Sequence, residues 1–308
     1  MFSKGSPVLT ELHAAIPVLH GTNCEDGIFE GVLETIGIPY AGCNTMSSAV
    51  GMDKIIMKMI LRSEGIPVVD FVWTTDKEWG HSRDAVIEKV ERKLGYPVIV
   101  KPANLGSSVG IGRADNREQL IDKIDDAEKF SKRIIIEKCV AQLKEINCSV
   151  LGDHEERTAS ILEEPIKSGE ILSYTDKYMG GTKTENRGMQ ASDKRIPADL
   201  PEETTKKIQE MAKDTFKVLD CHGVSRVDVM IDEADGQIYV NEINTIPGSL
   251  SFYLWEATGI TFEQLMDRLV QLSLKRKRET DSKTFSYSTN IFTMKGGLKG
   301  AKGPKVKG

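Results

Sequence analysis

The chain has no membrane-length apolar run, no clustered metal-binding motif and no basic surplus. Its formal net charge is −5, which argues against a dominant nucleic-acid-binding surface. A membrane helix needs about 20 apolar residues, and no stretch reaches that length. Met1-Phe2-Ser3-Lys4-Gly5 lacks the apolar core of a signal peptide. The five cysteines, Cys24, Cys43, Cys139, Cys148 and Cys221, are odd in number and show no C-x-x-C spacing. That speaks against disulfides or a zinc site and predicts reduced thiols in a cytoplasmic protein. The five histidines are equally scattered, so a histidine-rich metal site is not expected.

What is present is an ordinary globular composition, 39% hydrophobic over 308 residues, enough for two or three domains or one large α/β unit. A short buried strand is expected at 15–20, and helices at 26–36, 47–64, 82–94, 117–130, 201–219 and 261–275. Strands are expected at 68–74, 96–102, 133–138, 145–151 and 160–166. Residues 167–195 are polar and glycine-containing, and a loop of that length is usually a functional lid or disordered. From residue 276 the chain reads as a basic, Gly- and Lys-rich disordered tail. A solvated tail is weighed above one that touches anionic surfaces.

The most informative segment is Val240-Asn241-Glu242-Ile243-Asn244-Thr245-Ile246-Pro247-Gly248. Glu242 and Asn244 are two apart, so on an extended strand they leave the same face. Residues 225–231 form a preceding strand that carries Asp228, and Asp232-Glu233-Ala234-Asp235-Gly236 is a hairpin turn. The hairpin brings Asp228 beside Glu242 and Asn244, three oxygen-bearing groups that suit Mg²⁺. The competing reading, a solvated hairpin face, fits less well with the apolar flanks. A second candidate is the loop after Lys101. Gly106, Ser107, Ser108 and Gly110 would aim backbone N–H groups at an anion, although Gly-Ser turns are common. Lys101 adds a point charge for a phosphate. Glu137 and Lys138 are either a surface ion pair or the wall of a nucleotide cleft, and Glu145 is placed to hold a ribose; composition leaves these open.

In this order the pieces resemble the ATP-grasp superfamily, and more closely the D-alanine–D-alanine ligases, from about residue 16 to 275. The matching residues are His20-Gly21 with Glu25-Asp26-Gly27, then Gly37-Ile38-Pro39-Tyr40-Ala41-Gly42, and Met52-Asp53-Lys54. Val100-Lys101-Pro102, Gly106-Ser107-Ser108-Val109-Gly110, Glu137-Lys138 and Asp176-Lys177-Tyr178 follow. Arg226-Val227-Asp228 and the segment ending at Gly248 complete the set. The resemblance implies an α/β (α+β) ATP-grasp fold in which two α+β subdomains sandwich ATP. A shortened pre-ATP-grasp domain (1–50) would precede subdomains at 51–140 and 141–275. Lys54 and Lys101 would contact ATP phosphates, with Ser107 and Ser108 closing over them. Glu137, Lys138 and Val140 would surround the adenine, and Glu145 would take the ribose. Asp228, Glu242 and Asn244 would hold two Mg²⁺ ions, with Mn²⁺ an acceptable substitute. Arg226 and the Gly248 amide would stabilise the reacting carboxylate. His20 would support the first-substrate pocket, while Lys177 and Tyr178 would ride on the lid. D-alanine and ATP would be the substrates, joined through an acylphosphate for peptidoglycan synthesis, by a homodimer.

The resemblance departs at two places. Family members open with a further strand, turn and helix that supply a glutamate to the first substrate, and only about fifteen residues precede the strand at 15–20 here. Retained nucleotide binding with weak turnover is therefore an expectation, beside full ligation and ligation of another amino acid pair. Tyr253 aligns with a serine that receives the second substrate's carboxylate; a phenol can donate a hydrogen bond but fills more space.

Overall fold

The computed structural model describes residues 11–106, 109–166 and 194–284. Two antiparallel sheets organise it. The smaller has the order β1-β4-β2-β3, built from β1 (Phe71–Thr75), β2 (Val98–Pro102), β3 (Gly112–Ala114) and β4 (Arg133–Lys138). The larger has the order β7-β6-β5-β8-β9. Its strands are β5 (Leu143–Gly152), β6 (Arg157–Pro165), β7 (Lys194–Arg195), β8 (Gly223–Asp232) and β9 (Gln237–Asn244).

Burial assigns the faces. In β4 the side chains alternate. Ile134 and Ile136 join a core with Trp79, Val86 and Val90 from the outer helices α4 (Asp76–His81) and α5 (Arg83–Lys93), and with Leu120 and Ile124 of α6 (Arg117–Ala127). Ile135 faces the other way, onto Ile55 of α3 (Lys54–Ser63). On the larger sheet, Ile146, Cys148, Val227, Val229, Val240 and Ile243 pack against Ile208, Ala212 and Phe216 of α7 (Glu202–Val218). The opposite face carries the polar residues and looks toward the smaller sheet. It is closed at one end by Trp255 of α8 (Phe252–Thr258) and Leu265 and Leu269 of α9 (Phe262–Asp281).

Several sequence expectations need correction. No strand forms at 15–20: Ala15 makes a single parallel bridge to Tyr40, and Val18 and Leu19 are exposed. The helix expected over 47–64 is two, α2 (Thr45–Met52) and α3, because Asp53 leaves helical geometry (φ −86°, ψ 99°) and its carboxylate caps Ile55 and Ile56 N–H. The helix expected over 26–36 begins later, as α1 (Ile28–Ile36). Helices α4 and α8 were not anticipated. The basic run Lys275-Arg276-Lys277-Arg278 lies inside α9 rather than opening a tail, and Arg276 donates to the Tyr40 and Gly42 carbonyls at 2.6 Å each. The glycine-rich loop joins the antiparallel pair β2 and β3, with Val98 opposite Ala114 and Val100 opposite Gly112. Lys177 and Tyr178 of the expected lid, Ser107 and Ser108 of the glycine-rich loop, and the tail beyond 284 lie outside the described residues; Lys194 and Arg195, at the end of the expected loop, pair with β6.

Candidate active site

The site is built where the two sheets face each other. On β4, Glu137 points away from the outer helices and is 2% exposed. Its carboxylate takes Lys58 Nζ and Lys101 Nζ, each at 2.6 Å. Burial alone raises its pKa, but the two ammonium groups outweigh that and hold it at about 2. Lys101 is held charged for the same reason, since the Glu137 charge overcomes a burial penalty. Lys58, wholly buried, is pulled down to about 8 because burial outweighs the Glu137 attraction. Glu137 is thus no surface partner of Lys138. The Lys138 side chain lies on the opposite face of β4 and donates to the Leu94 carbonyl at 2.8 Å, so only its backbone faces the cleft side of the strand.

Two contacts cross the cleft. Lys54 Nζ reaches Glu242 Oε2 at 3.1 Å and donates to the Leu105 carbonyl at 2.8 Å. Lys101 Nζ donates to Asn241 Oδ1 at 3.3 Å. Lys54 is fixed because it opens α3 directly after the Asp53 cap. Asp53 also pairs with Arg133 and accepts from Asn104 Nδ2 at 3.2 Å, tying that helix to the start of the glycine-rich loop.

On the larger sheet, the register sets Asp228 opposite Glu242 and Arg226 opposite Asn244. Asn244 Nδ2 donates to Asp228 Oδ2 at 3.0 Å, and Arg226 binds the same carboxylate in a fork at 2.6 and 2.8 Å. Burial raises the Asp228 pKa against the pull of Arg226. Burial would do the same for Glu242, but Lys54 and Lys101 outweigh it and lower its pKa. Two carboxylates and an amide oxygen on one face suit a hard cation. Three lysines against two carboxylates, Glu137 and Glu242, leave a positive surplus that suits a polyphosphate.

The remaining predicted residues lie nearby in different roles. Glu145 is on the cleft face of β5, opposite Met230, and Val140 is half-buried in the connector between the sheets. His20 is exposed and leans on Glu25 at 3.4 Å. Gly248 begins a turn in which Ser249, Leu250 and Ser251 all have positive φ, between 51° and 54°. The Tyr253 phenol donates to Glu163 Oε2 at 2.7 Å. Sequence reasoning missed Lys58, Asn241 and Glu163. The first had a readable signal: Lys54 and Lys58 are i, i+4 on one helix face, with the second set among apolar neighbours.

Two antiparallel sheets closing on a lysine–carboxylate cluster define an ATP-grasp protein, and the solved structures it resembles agree. The D-alanine-D-alanine ligase from Coxiella burnetii superposes with TM-score 0.73 at 30% identity, over 88% of this chain and 72% of that one. The VanG D-Ala:D-Ser ligase from Enterococcus faecalis gives 0.74 at 33%, over 86% and 74%. The family model for the D-ala D-ala ligase C-terminus matches residues 60–271. The D-alanine–D-alanine ligase of Thermosipho melanesiensis is 42% identical over 280 residues, 91% of this chain and 73% of the relative. The chain belongs to the D-alanine–D-alanine ligase family.

Proposed function

We propose that this protein is an ATP- and Mg²⁺-dependent carboxylate–amine ligase that activates D-alanine as an acylphosphate and joins it to a second D-amino acid, D-alanine in the family's own reaction, for peptidoglycan synthesis. The observation that carries the reading is the cluster of Asp228, Glu242 and Asn244 on the larger sheet, facing Lys54 at the start of α3, which reaches Glu242, and Lys101 on β2, which donates to Asn241. Asp228, Glu242 and Asn244 would hold two Mg²⁺ ions, or Mn²⁺ in their place, which supply charge neutralisation for the transferring phosphoryl group. Lys54 and Lys101 would bind phosphate oxygens, with Ser107 and Ser108 beside them. The Glu137, Lys138 and Val140 stretch would hold the adenine and Glu145 the ribose. Arg226 and the Gly248 amide would receive the substrate carboxylate, His20 would line the first-substrate pocket, and Lys177 and Tyr178 would cover the site. Positioning and electrostatics do the work, and exclusion of water protects the acylphosphate.

Among the described residues no helix is long and apolar enough to cross a membrane. A cytoplasmic location, with the five cysteines free, fits that reading. The exposed apolar stripe Ile28, Val32 and Ile36 on α1 supports pairing with a second copy of the chain.

The test is phosphate release from Mg-ATP with and without D-alanine, in the wild type and in Asp228→Asn. D-Ala-dependent release that Asp228→Asn loses supports the ligase. Release that needs a different amino acid supports the alternative pair. Nucleotide binding without release under any condition sinks the ligase reading and leaves only an ATP-binding protein.

A further inference from the structure

The register of the larger sheet continues the catalytic row beyond the metal residues. Glu163 on β6 lies opposite Asn147 on β5, Asn147 lies opposite Asp228, and Asp228 lies opposite Glu242. Directly opposed residues share a face, so Glu163, Asn147, Asp228 and Glu242 form one line across four strands. The ligase reading uses the last two. It leaves unexplained a carboxylate, only 5% exposed, at the far end.

Strands lie about 4.8 Å apart, which sets Glu163 about 10 Å from Asp228. If the activated carboxylate sits at Arg226, the second amino acid occupies the interval between them. Its amine then faces Arg226, and its outer end faces Glu163 and Tyr253.

The chemistry of that outer wall is unlike a pocket for a methyl group. The one phenolic proton of Tyr253 goes to Glu163 Oε2, so Tyr253 has no donor left for a substrate carboxylate. Asn147 Nδ2 also donates to Oε2, at 3.4 Å. Both bonds fall on the same oxygen, and among the described residues Oε1 has no hydrogen-bond partner. A cation for the substrate carboxylate is at hand, because Lys194 Nζ sits 3.4 Å from the centroid of the Tyr253 ring. The wall therefore offers a positive rim and one open carboxylate oxygen inside. An alanine side chain leaves that oxygen without a donor, whereas a hydroxyl or an ammonium supplies one.

We propose that Glu163, held by Tyr253 and Asn147, makes the second-substrate pocket selective for a D-amino acid whose side chain carries a hydrogen-bond donor, with D-alanine accepted less well. The proposal rests on the ligase reading above and names the substrate class of the same site.

The experiment is a competition. The full chain is supplied with Mg-ATP, D-alanine and an equal concentration of D-serine or D-ornithine, and the dipeptides are counted by mass spectrometry. The wild type is expected to make mixed dipeptide in about tenfold excess over D-Ala-D-Ala, the factor one hydrogen bond to a charged group is worth. Glu163→Leu should restore D-alanine preference. Glu163→Gln, which keeps the shape and an acceptor oxygen, should retain D-serine but lose D-ornithine if the donor recognised is an ammonium. D-Ala-D-Ala as the dominant wild-type product, or a ratio unchanged in both Glu163 variants, overturns the proposal. If no chain makes any dipeptide, the ligase reading fails, and titration of the Mg-ADP-loaded protein with each amino acid decides. Tighter D-serine or D-ornithine binding that Glu163→Leu loses upholds the pocket, and equal binding overturns it.

Discussion

Lys58 is buried to zero exposure with its amine on Glu137, and Glu137 passes the contact on to Lys101. Removing one partner of a buried ion pair strands the other charge in a poor solvent. Lys58→Met is therefore expected to cost about 3 kcal/mol, the low end for such a loss because Glu137 keeps Lys101. Urea unfolding measures it, and a cost below experimental error would show that the pair contributes nothing net. The same carboxylate sets a pH dependence. Its pKa is depressed from 4.5 when unfolded to about 2 when folded, so its contribution is complete above about pH 4.5 and is lost as pH falls toward 2. The stability gap between wild type and Glu137→Gln should narrow across that window; a constant gap would mean that Glu137 is not the group responsible. At this scale the sequence was informative where a residue sits in a punctuated motif, as with Lys101 and Asp228. It was silent on Asn241 and Glu163, whose roles depend on contacts with residues far away in the chain, and for Lys58 it offered only the i, i+4 spacing from Lys54.

Element by element, the hairpin that carries Asp228, Glu242 and Asn244 was legible, because strand periodicity and an Asp-Gly turn are local signals. One detail was not. Val240 and Ile243 are three apart, so strict alternation would send them to opposite faces, yet both are in the core. The pairing skips Asn241: Asp228 meets Glu242 while Val229 meets Val240. This bulge turns Asn241 and Glu242 outward together, one toward Lys101 and the other toward Lys54. A break in register is decided by the partner strand, and no local pattern announces it. The turn after Gly248 was equally hidden, since Ser249, Leu250 and Ser251 hold a left-handed conformation that L-residues avoid at about 1–2 kcal/mol each. Ser249 is exposed, so its backbone is testable without disturbing packing. Ser249→Val should destabilise by about 1 kcal/mol, because a branched side chain is poorly tolerated there, and should lower kcat by moving the Gly248 amide. Ser249→Gly should unfold no more easily than wild type. If the two variants melt together, the turn is not left-handed in solution.

Across the whole molecule, the described residues place two sheets around one cleft, each with its own core, joined by the short connector after Lys138 and by the Lys54–Glu242 and Lys101–Asn241 contacts. The α+β class came with the resemblance to the ATP-grasp superfamily, but the strand at 15–20 failed: Ala15 makes only one parallel bridge, and Val18 and Leu19 are left exposed. A ligand that touches both sheets stabilises the folded state by mass action. At a hundredfold excess over Kd the gain is about 2.7 kcal/mol. At about 2 °C per kcal/mol for a chain of this size, Mg-ATP should raise the melting temperature by about 5 °C. The metal share of that gain should pass through Glu242, so Glu242→Gln should keep a smaller shift with ATP alone and gain nothing further from Mg²⁺. Scanning calorimetry of both proteins with ATP, with Mg²⁺ and with the two together separates the contributions. An equal Mg²⁺-dependent increment in Glu242→Gln would remove the metal from the Asp228–Glu242–Asn244 row and, with it, the geometric basis for phosphoryl transfer at this cleft.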